Sequence, residues 1–182
     1  MKHFVYRSIA VAIAIGLLGA KSAIAQDASS MYAGISYSQI DFEEIDEKPA
    51  MVIGIIGWPV GENFSIEGRF GAGVKSVKDS AFINGRLVNA ELKVNNYYGG
   101  FVRGNLPAGD AFNLYAILGY GSGEAEITTN VGVSAADSES SEAYGIGAEF
   151  VFGQSKTSHL AFEWARYFED TNAISIVYRL KF

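Results

Sequence analysis

The sequence predicts an all-β chain, an eight-stranded antiparallel up-and-down transmembrane β-barrel. Three observations predict it. Beyond residue 30 the chain falls into eight short segments that alternate bulky apolar with small or polar residues. The links between them alternate between short and long. The last segment, "NAISIVYRLKF", sets Ile174, Ile176, Tyr178, Leu180 and Phe182 on one parity and stops on the aromatic.

Residues 1–25 read as a cleaved export segment rather than as structure. Lys2, His3 and Arg7 make a basic start, Ile9 to Ala20 is wholly apolar or Gly, and Ala23-Ile24-Ala25 before Gln26 fits the small-x-small rule for cleavage. The apolar run is shorter than the roughly 20 residues that a spanning helix requires. Residues 26–182 then form the barrel. The 182-residue chain carries a formal charge of -6, and loss of Lys2, Arg7 and Lys21 takes it to -9. An acidic exported chain is a poor partner for nucleic acid. The absence of cysteine excludes a disulfide scaffold and a cysteine-based zinc site. No later stretch is apolar for the roughly 20 residues of a membrane helix, whereas a spanning strand needs only about 9 to 11 alternating residues.

In chain order the strands are "SMYAGISYSQ" (30–39), "AMVIGIIGW" (50–58), "FSIEGRFGAG" (64–73), "ELKVNNYYGGFVRG" (91–104), "AFNLYAILGYGSG" (111–123), "SEAYGIGAEFVF" (141–152), "HLAFEWARYF" (159–168) and 172–182. Short links, "PVGEN", "NLPAGD" and "GQSKTS", follow the second, fourth and sixth strands. Longer ones, "IDFEEIDEKP", 74–90 and 124–140, follow the first, third and fifth, and the last hairpin, "EDT", is short. Short turns at one end and mostly long loops at the other fit a barrel with a periplasmic and an outer end.

Parity assigns the faces. Phe64, Ile66, Phe70 and Ala72 oppose Glu67 and Arg69. Leu92, Val94, Tyr98 and Val102 oppose Lys93, Asn95, Tyr97 and Arg103. Phe112, Leu114, Ala116, Leu118 and Tyr120 oppose Asn113, Tyr115, Ile117 and Gly119. Tyr144, Ile146, Ala148, Phe150 and Phe152 oppose Glu149, while Leu160, Phe162 and Trp164 oppose Glu163. The second strand is ambiguous, because Met51, Ile53 and Ile55 compete with Val52, Ile56 and Trp58. An eight-stranded barrel has a narrow interior. Bulky rows would overfill it, so they are expected to face lipid, with small residues such as Gly34, Ser36, Ser38, Gly119, Gly145, Ala161 and Ser175 inside. Trp58, Phe64, Phe150, Phe162 and Phe182 gather toward one end, Tyr37, Phe70, Tyr98, Tyr120 and Tyr144 toward the other, as two interfacial belts should. Inward charges need partners, since a lone buried charge costs several kcal/mol by the usual estimates. Glu67, Glu149 and Glu163 are expected to meet Arg69, Lys93, Arg103, Arg179 and Lys181 in a plug across the lumen.

"YYGGFVRGNLP", "FNLYAILGYG" and "AYGIGAEFVF" resemble the fourth, fifth and sixth strands of small outer-membrane proteins of the OmpA transmembrane-domain and OmpX/Ail type, and the likeness runs over essentially residues 30 to 182. The resemblance implies a monomer in the outer membrane of a Gram-negative bacterium, embedded in lipid and lipopolysaccharide. It implies that Ile174, Ile176, Tyr178, Leu180 and Phe182 form the signal read by the barrel assembly machinery. It also implies roles in envelope integrity, surface binding or adhesion, carried by loops. The chain ends at the barrel, so the cell-wall anchoring of full-length OmpA-like proteins is not implied.

For a surface ligand, the densest charge run is Asp41, Glu43, Glu44, Asp46 and Glu47 against Lys48, which suits divalent cations at the lipopolysaccharide surface, a basic partner, or simple solvation. No calcium-loop spacing and no cofactor motif is present, so neither a metal nor a cofactor is expected. Three other functions are weighed. A narrow porin requires the charged rows to line water. A secreted lipocalin-like binder requires the opposite facing. A lipid A-modifying enzyme has only His159 after the export segment, at the periplasmic rim beside Ser158 and far from the outer leaflet, so no enzyme is expected.

Overall fold

The computed structural model describes residues 30–42, 47–83, 86–153, 156–168 and 171–182. The described residues form nine strands: β1 Tyr32–Phe42, β2 Ala50–Pro59, β3 Phe64–Lys75, β4 Val77–Ile83, β5 Arg86–Pro107, β6 Phe112–Thr129, β7 Ser134–Phe152, β8 Ser158–Phe168 and β9 Thr171–Lys181. β3 and β4 both pair with β5, on either side of Ser76, and so occupy one position. The barrel therefore has eight positions. Every neighbour is antiparallel and sequential, and β1 closes on β9 from Tyr32 opposite Lys181 to Phe42 opposite Thr171. Closure removes the sheet edges that hydrocarbon cannot tolerate.

The alternation in sequence becomes two faces. Ile146, Ile174, Ile176, Phe162, Phe70 and Tyr98 are among the bulky residues exposed on the outer wall. Ser36, Ser38, Ala161, Ala165 and Ser175 are buried inside. The ambiguous strand resolves with Met51, Ile53 and Ile55 inward and Val52, Ile56 and Trp58 outward. Aromatic rings meet near both rims, Phe112 with Phe150 at 5.0 Å between centroids and Tyr144 with Trp164 at 6.1 Å.

The interior is less small than parity suggests. Tyr32, Tyr97, Phe101, Tyr115 and Tyr167 all point inward and are buried. Glycines on neighbouring strands make the room: the Tyr32 ring lies over Gly57 and the Tyr115 ring over Gly147, where an added Cβ would collide with the ring. Bulk and glycine are thus matched across strands, and the lumen is filled rather than overfilled.

Two expectations about loops are corrected. The stretches 74–90 and 124–140 are mostly strand. β4 pairs with Arg86–Leu92, and Glu124–Thr128 pair with Ser134–Ser138 around a turn with Gly132 at φ 84°. β-branched and alternating residues such as Val77, Val88 and Ile127 carry the ladders outward. β4 and the outer parts of β5, β6 and β7 form a sheet that stands about 20 Å beyond the rim, at about 3.3 Å per residue.

Candidate functional site

A β-bulge decides which charges enter the lumen. Val94 pairs with Ala125 and Asn96 with Glu124, leaving Asn95 as an extra residue in β5. Below the bulge Tyr97, Phe101 and Arg103 face inward; above it the parity is exchanged, so Val94 is buried and Lys93 is exposed. The placement of Lys93 in the lumen is therefore corrected, as is that of Val94 on the lipid face. Lys181 keeps the inward parity of β9 but lies at its end, where it is exposed rather than part of a plug.

The other six predicted lumen charges come together. Arg69, Arg103 and Arg179 stand against Glu67, Glu149 and Glu163, all at most 3 % exposed. Arg69 donates Nε and Nη2 to Glu67 Oε2 at 2.9 and 2.7 Å, and Nη1 and Nη2 to the two oxygens of Glu163 at 2.6 and 2.9 Å. Arg103 Nη2 and Arg179 Nη1 donate to Glu149 Oε2 at 2.8 and 3.0 Å. Arg179 Nη2 also lies 3.5 Å from Glu163, which ties the two clusters together. Three guanidinium groups face three carboxylates, so buried charge balances locally, as a low-dielectric interior demands.

Tyrosines complete the network, and parity alone gave no hint of their bonds. Tyr32 donates to Glu67 at 2.8 Å and Tyr115 to Glu163 at 3.0 Å. The guanidinium of Arg103 lies 4.1 Å from the Tyr115 ring centroid, and that of Arg69 lies 4.9 Å from Phe101. His159, the second residue of β8, is 2 % exposed, and its Nδ1 lies 2.9 Å from Glu149. Since a carboxylate only accepts, Nδ1 carries the proton. Ser38 links Ser36 and Ser175 at 3.0 and 2.8 Å. The arrangement joins strands from all sides of the barrel and fills its centre.

The remaining predicted residues lie apart from this network. Ile174, Ile176, Leu180 and Phe182 are exposed on the outer wall, with Tyr178 half-buried among them. Asp41 holds Lys48 in an exposed pair at 2.6 Å, and Glu47 is exposed. Glu43, Glu44 and Asp46 lie outside the described residues, as do the export segment and Asn84-Gly85. Among the described residues, no group of three or more His, Asp or Glu is placed to hold a metal ion.

Outside the membrane, the β3–β4 junction is fastened at Glu91. Ser76 Oγ donates to Glu91 Oε1 at 2.6 Å, and Lys78 Nζ lies 3.6 Å from Glu91 Oε2. The Ser76 hydroxyl, with Lys78 next, holds the Glu91 carboxyl below its usual range.

Known structures share this architecture. Ail of Yersinia pestis, crystallised with the heparin analogue sucrose octasulfate, superposes with a TM-score of 0.54 at 18% identity, over 84% of this chain and 97% of that one. Neisserial surface protein A gives 0.56 at 8% identity, over 84% and 96%. The N-terminal barrel of Pseudomonas aeruginosa OprF gives 0.52 at 10% identity, over 83% and 97%. A search of curated proteins finds no match. The model of the outer membrane protein beta-barrel domain matches residues 10–176. The chain belongs to the outer membrane protein β-barrel domain family.

Proposed function

We propose that this small outer-membrane barrel is a rigid pedestal for a surface-binding sheet, and that the sheet takes its partner by strand addition. One observation carries the reading. β4, which pairs with β5 alone, and β7, which loses β8 above Tyr144, leave two backbone edges open beyond the rim among the described residues. An open edge offers a row of N–H and C=O groups to an extended segment of another protein. The packed ionic lumen supports the pedestal role, because a filled shaft holds the sheet at a fixed angle and leaves no continuous water path. Non-enzymatic binding is the reading that fits His159, which faces the lumen and is bonded to Glu149 rather than directed at the outer leaflet.

Charge narrows the partner. Ail has been crystallised with a polysulfated heparin analogue. Here the β7 edge presents Asp137 and Glu139 and the sheet carries Glu124 and Glu126, so a polyanion would be repelled and a basic extended segment favoured. The acidic run of Asp41, Glu43, Glu44, Asp46 and Glu47 would likewise attract cations bridging lipopolysaccharide. Residues 1–25 are read as removed on export, and the outward row ending at Phe182 as the mark read by the barrel assembly machinery. Protein sequencing that begins at Gln26 would support the first, and impaired insertion of a chain lacking Phe182 the second.

The test of strand addition blocks the edges without shortening the sheet. Ser138→Pro on β7 and Ser80→Pro on β4 each remove an edge N–H. Binding of the refolded protein to host-surface and serum proteins should fall in at least one variant while heat-modifiable gel mobility is retained. Unchanged binding in both variants would refute strand addition.

A further inference from the structure

The extracellular mouth of the lumen encloses a cavity of about 120 Å³, walled by Ile40, Met51, Val94, Tyr97, Tyr167 and Phe168, with Asp137 and Glu139 on its rim. Three aromatic rings converge there. Tyr97 lies 4.9 Å from Tyr167 at 60° and 5.9 Å from Phe168 at 88°, so the rings form a corner rather than a stack. The β5 bulge builds one wall, because only above Asn95 does Val94 turn inward. Beneath, Arg69 donates to the Tyr167 hydroxyl at 3.2 Å and is paired with Glu67 and Glu163, within a network whose three arginines balance its three glutamates.

The rim is one-sided in charge. Asp137 and Glu139 are two apart on β7, share its inward parity, and are exposed. Neither has an ion pair among the described residues. Glu124 also lines the cavity and accepts from Asn95 Nδ2 at 2.8 Å. Two cations of this end are engaged elsewhere: Lys48 with Asp41 at 2.6 Å, and Arg166, whose Nε donates to the Phe168 carbonyl at 3.2 Å. Tyr97 is 2 % exposed, and its hydroxyl has no hydrogen-bond partner among the described residues. An apolar hollow with an aromatic corner beneath unbalanced carboxylates is complementary to a positive charge borne on an apolar body.

We propose that this mouth cavity binds a small organic ammonium ion with an aromatic or short alkyl arm. The arm enters between Met51, Tyr97 and Phe168, and the ammonium stays above it, between the ring faces and the carboxylates of Asp137 and Glu139. At about 120 Å³ the cavity is somewhat smaller than the roughly 150 Å³ that accepts benzene, which limits the arm to one ring at most and leaves the ammonium outside. The site shares Asp137 and Glu139 with the β7 edge invoked for protein binding, but it rests on the cavity and does not depend on that function.

Calorimetry on the full refolded chain in maltoside micelles tests it, with benzyltrimethylammonium as the probe and benzyl alcohol and benzenesulfonate as its neutral and anionic counterparts. The ammonium ion should bind saturably and about tenfold more tightly than benzyl alcohol, with benzenesulfonate weakest. Asp137→Asn combined with Glu139→Gln should weaken it about tenfold, and Ala125→Phe, which fills the cavity, should abolish it. Folding of each variant is read from gel mobility. Should Ala125→Phe not fold, the ε-methyl resonance of Met51 decides on the unaltered chain: it should move with the ammonium ion, and perturbation confined to Met31 would overturn the site. No saturable heat up to about 10 mM, equal affinity for the ammonium and the alcohol, or full binding by a folded Ala125→Phe would each overturn it as well.

Discussion

Arg69 on β3 clasps Glu163 on β8 through two parallel hydrogen bonds of 2.6 and 2.9 Å, although the two residues are 94 apart in sequence and face each other across the barrel. The same guanidinium also holds Glu67, so one cation bridges two carboxylates from opposite walls. Glu163→Ala leaves that guanidinium with half its partners and the Tyr115 hydroxyl with none of its own. Breaking a buried pair in this way costs roughly 3–5 kcal/mol. Urea unfolding in micelles should show a loss of that order, whereas the outward Phe162→Leu should change stability little.

The packed centre bears on conduction. Glu67, Glu149 and Glu163 with their three arginines are buried, and the Tyr115 ring packs against the guanidinium of Arg103 between the ion pairs. Refolded protein in a planar bilayer should therefore pass no steady current. Arg103→Ala with Tyr115→Ala removes the stacked pair 4.1 Å apart and should yield brief openings. Sustained conductance by the unaltered chain would favour the narrow-porin reading instead.

The β5 bulge is open to chemical test because the chain has no cysteine of its own. Lys93→Cys should react quickly with a water-soluble maleimide and Val94→Cys slowly. Deleting Asn95 makes Asn96 follow Val94 directly in an uninterrupted ladder, so the order of the two rates should be kept. Equal rates before deletion would mean that the bulge does not turn the strand.

Most of the wall was legible in the sequence because lipid contact imposes a period of two on every strand, and Glu67, Arg69, Glu149, Glu163 and Arg179 follow it without interruption. Lys93 does not, because a single unpaired residue, Asn95, shifts every side chain beyond it, and no composition signal marks such a bulge. The outer sheet was hidden for a different reason. Stretches such as "SAADSESSE" have the acidic, Ser-rich look of a solvated loop, and only pairing with β6 makes them strand. Partners in the lumen, the Tyr115 hydroxyl above all, required register across the barrel, which alternation does not supply.

Acid should loosen the outer sheet at one point. Ser76 donates to Glu91, and that contact together with Lys78 lowers the carboxyl's affinity for protons in the folded state. A carboxyl depressed in this way stabilises the fold above its ordinary titration range and ceases to do so as pH falls through its folded value. Amide exchange at Val77 and Leu92 should therefore accelerate on acidification, beyond the intrinsic pH trend. Ser76→Ala should reduce that response, and an identical profile in the variant would remove Glu91 as its cause.

The seam where β1 meets β9 joins the earliest strand to the latest. Until the final strand is laid down, any partial assembly presents two raw borders to hydrocarbon, each with a column of amides that nothing nearby can satisfy. Intermediate ladders therefore gain little by lingering in the bilayer, and zippering is driven toward one cooperative event, in which the most distant contacts of the chain form together.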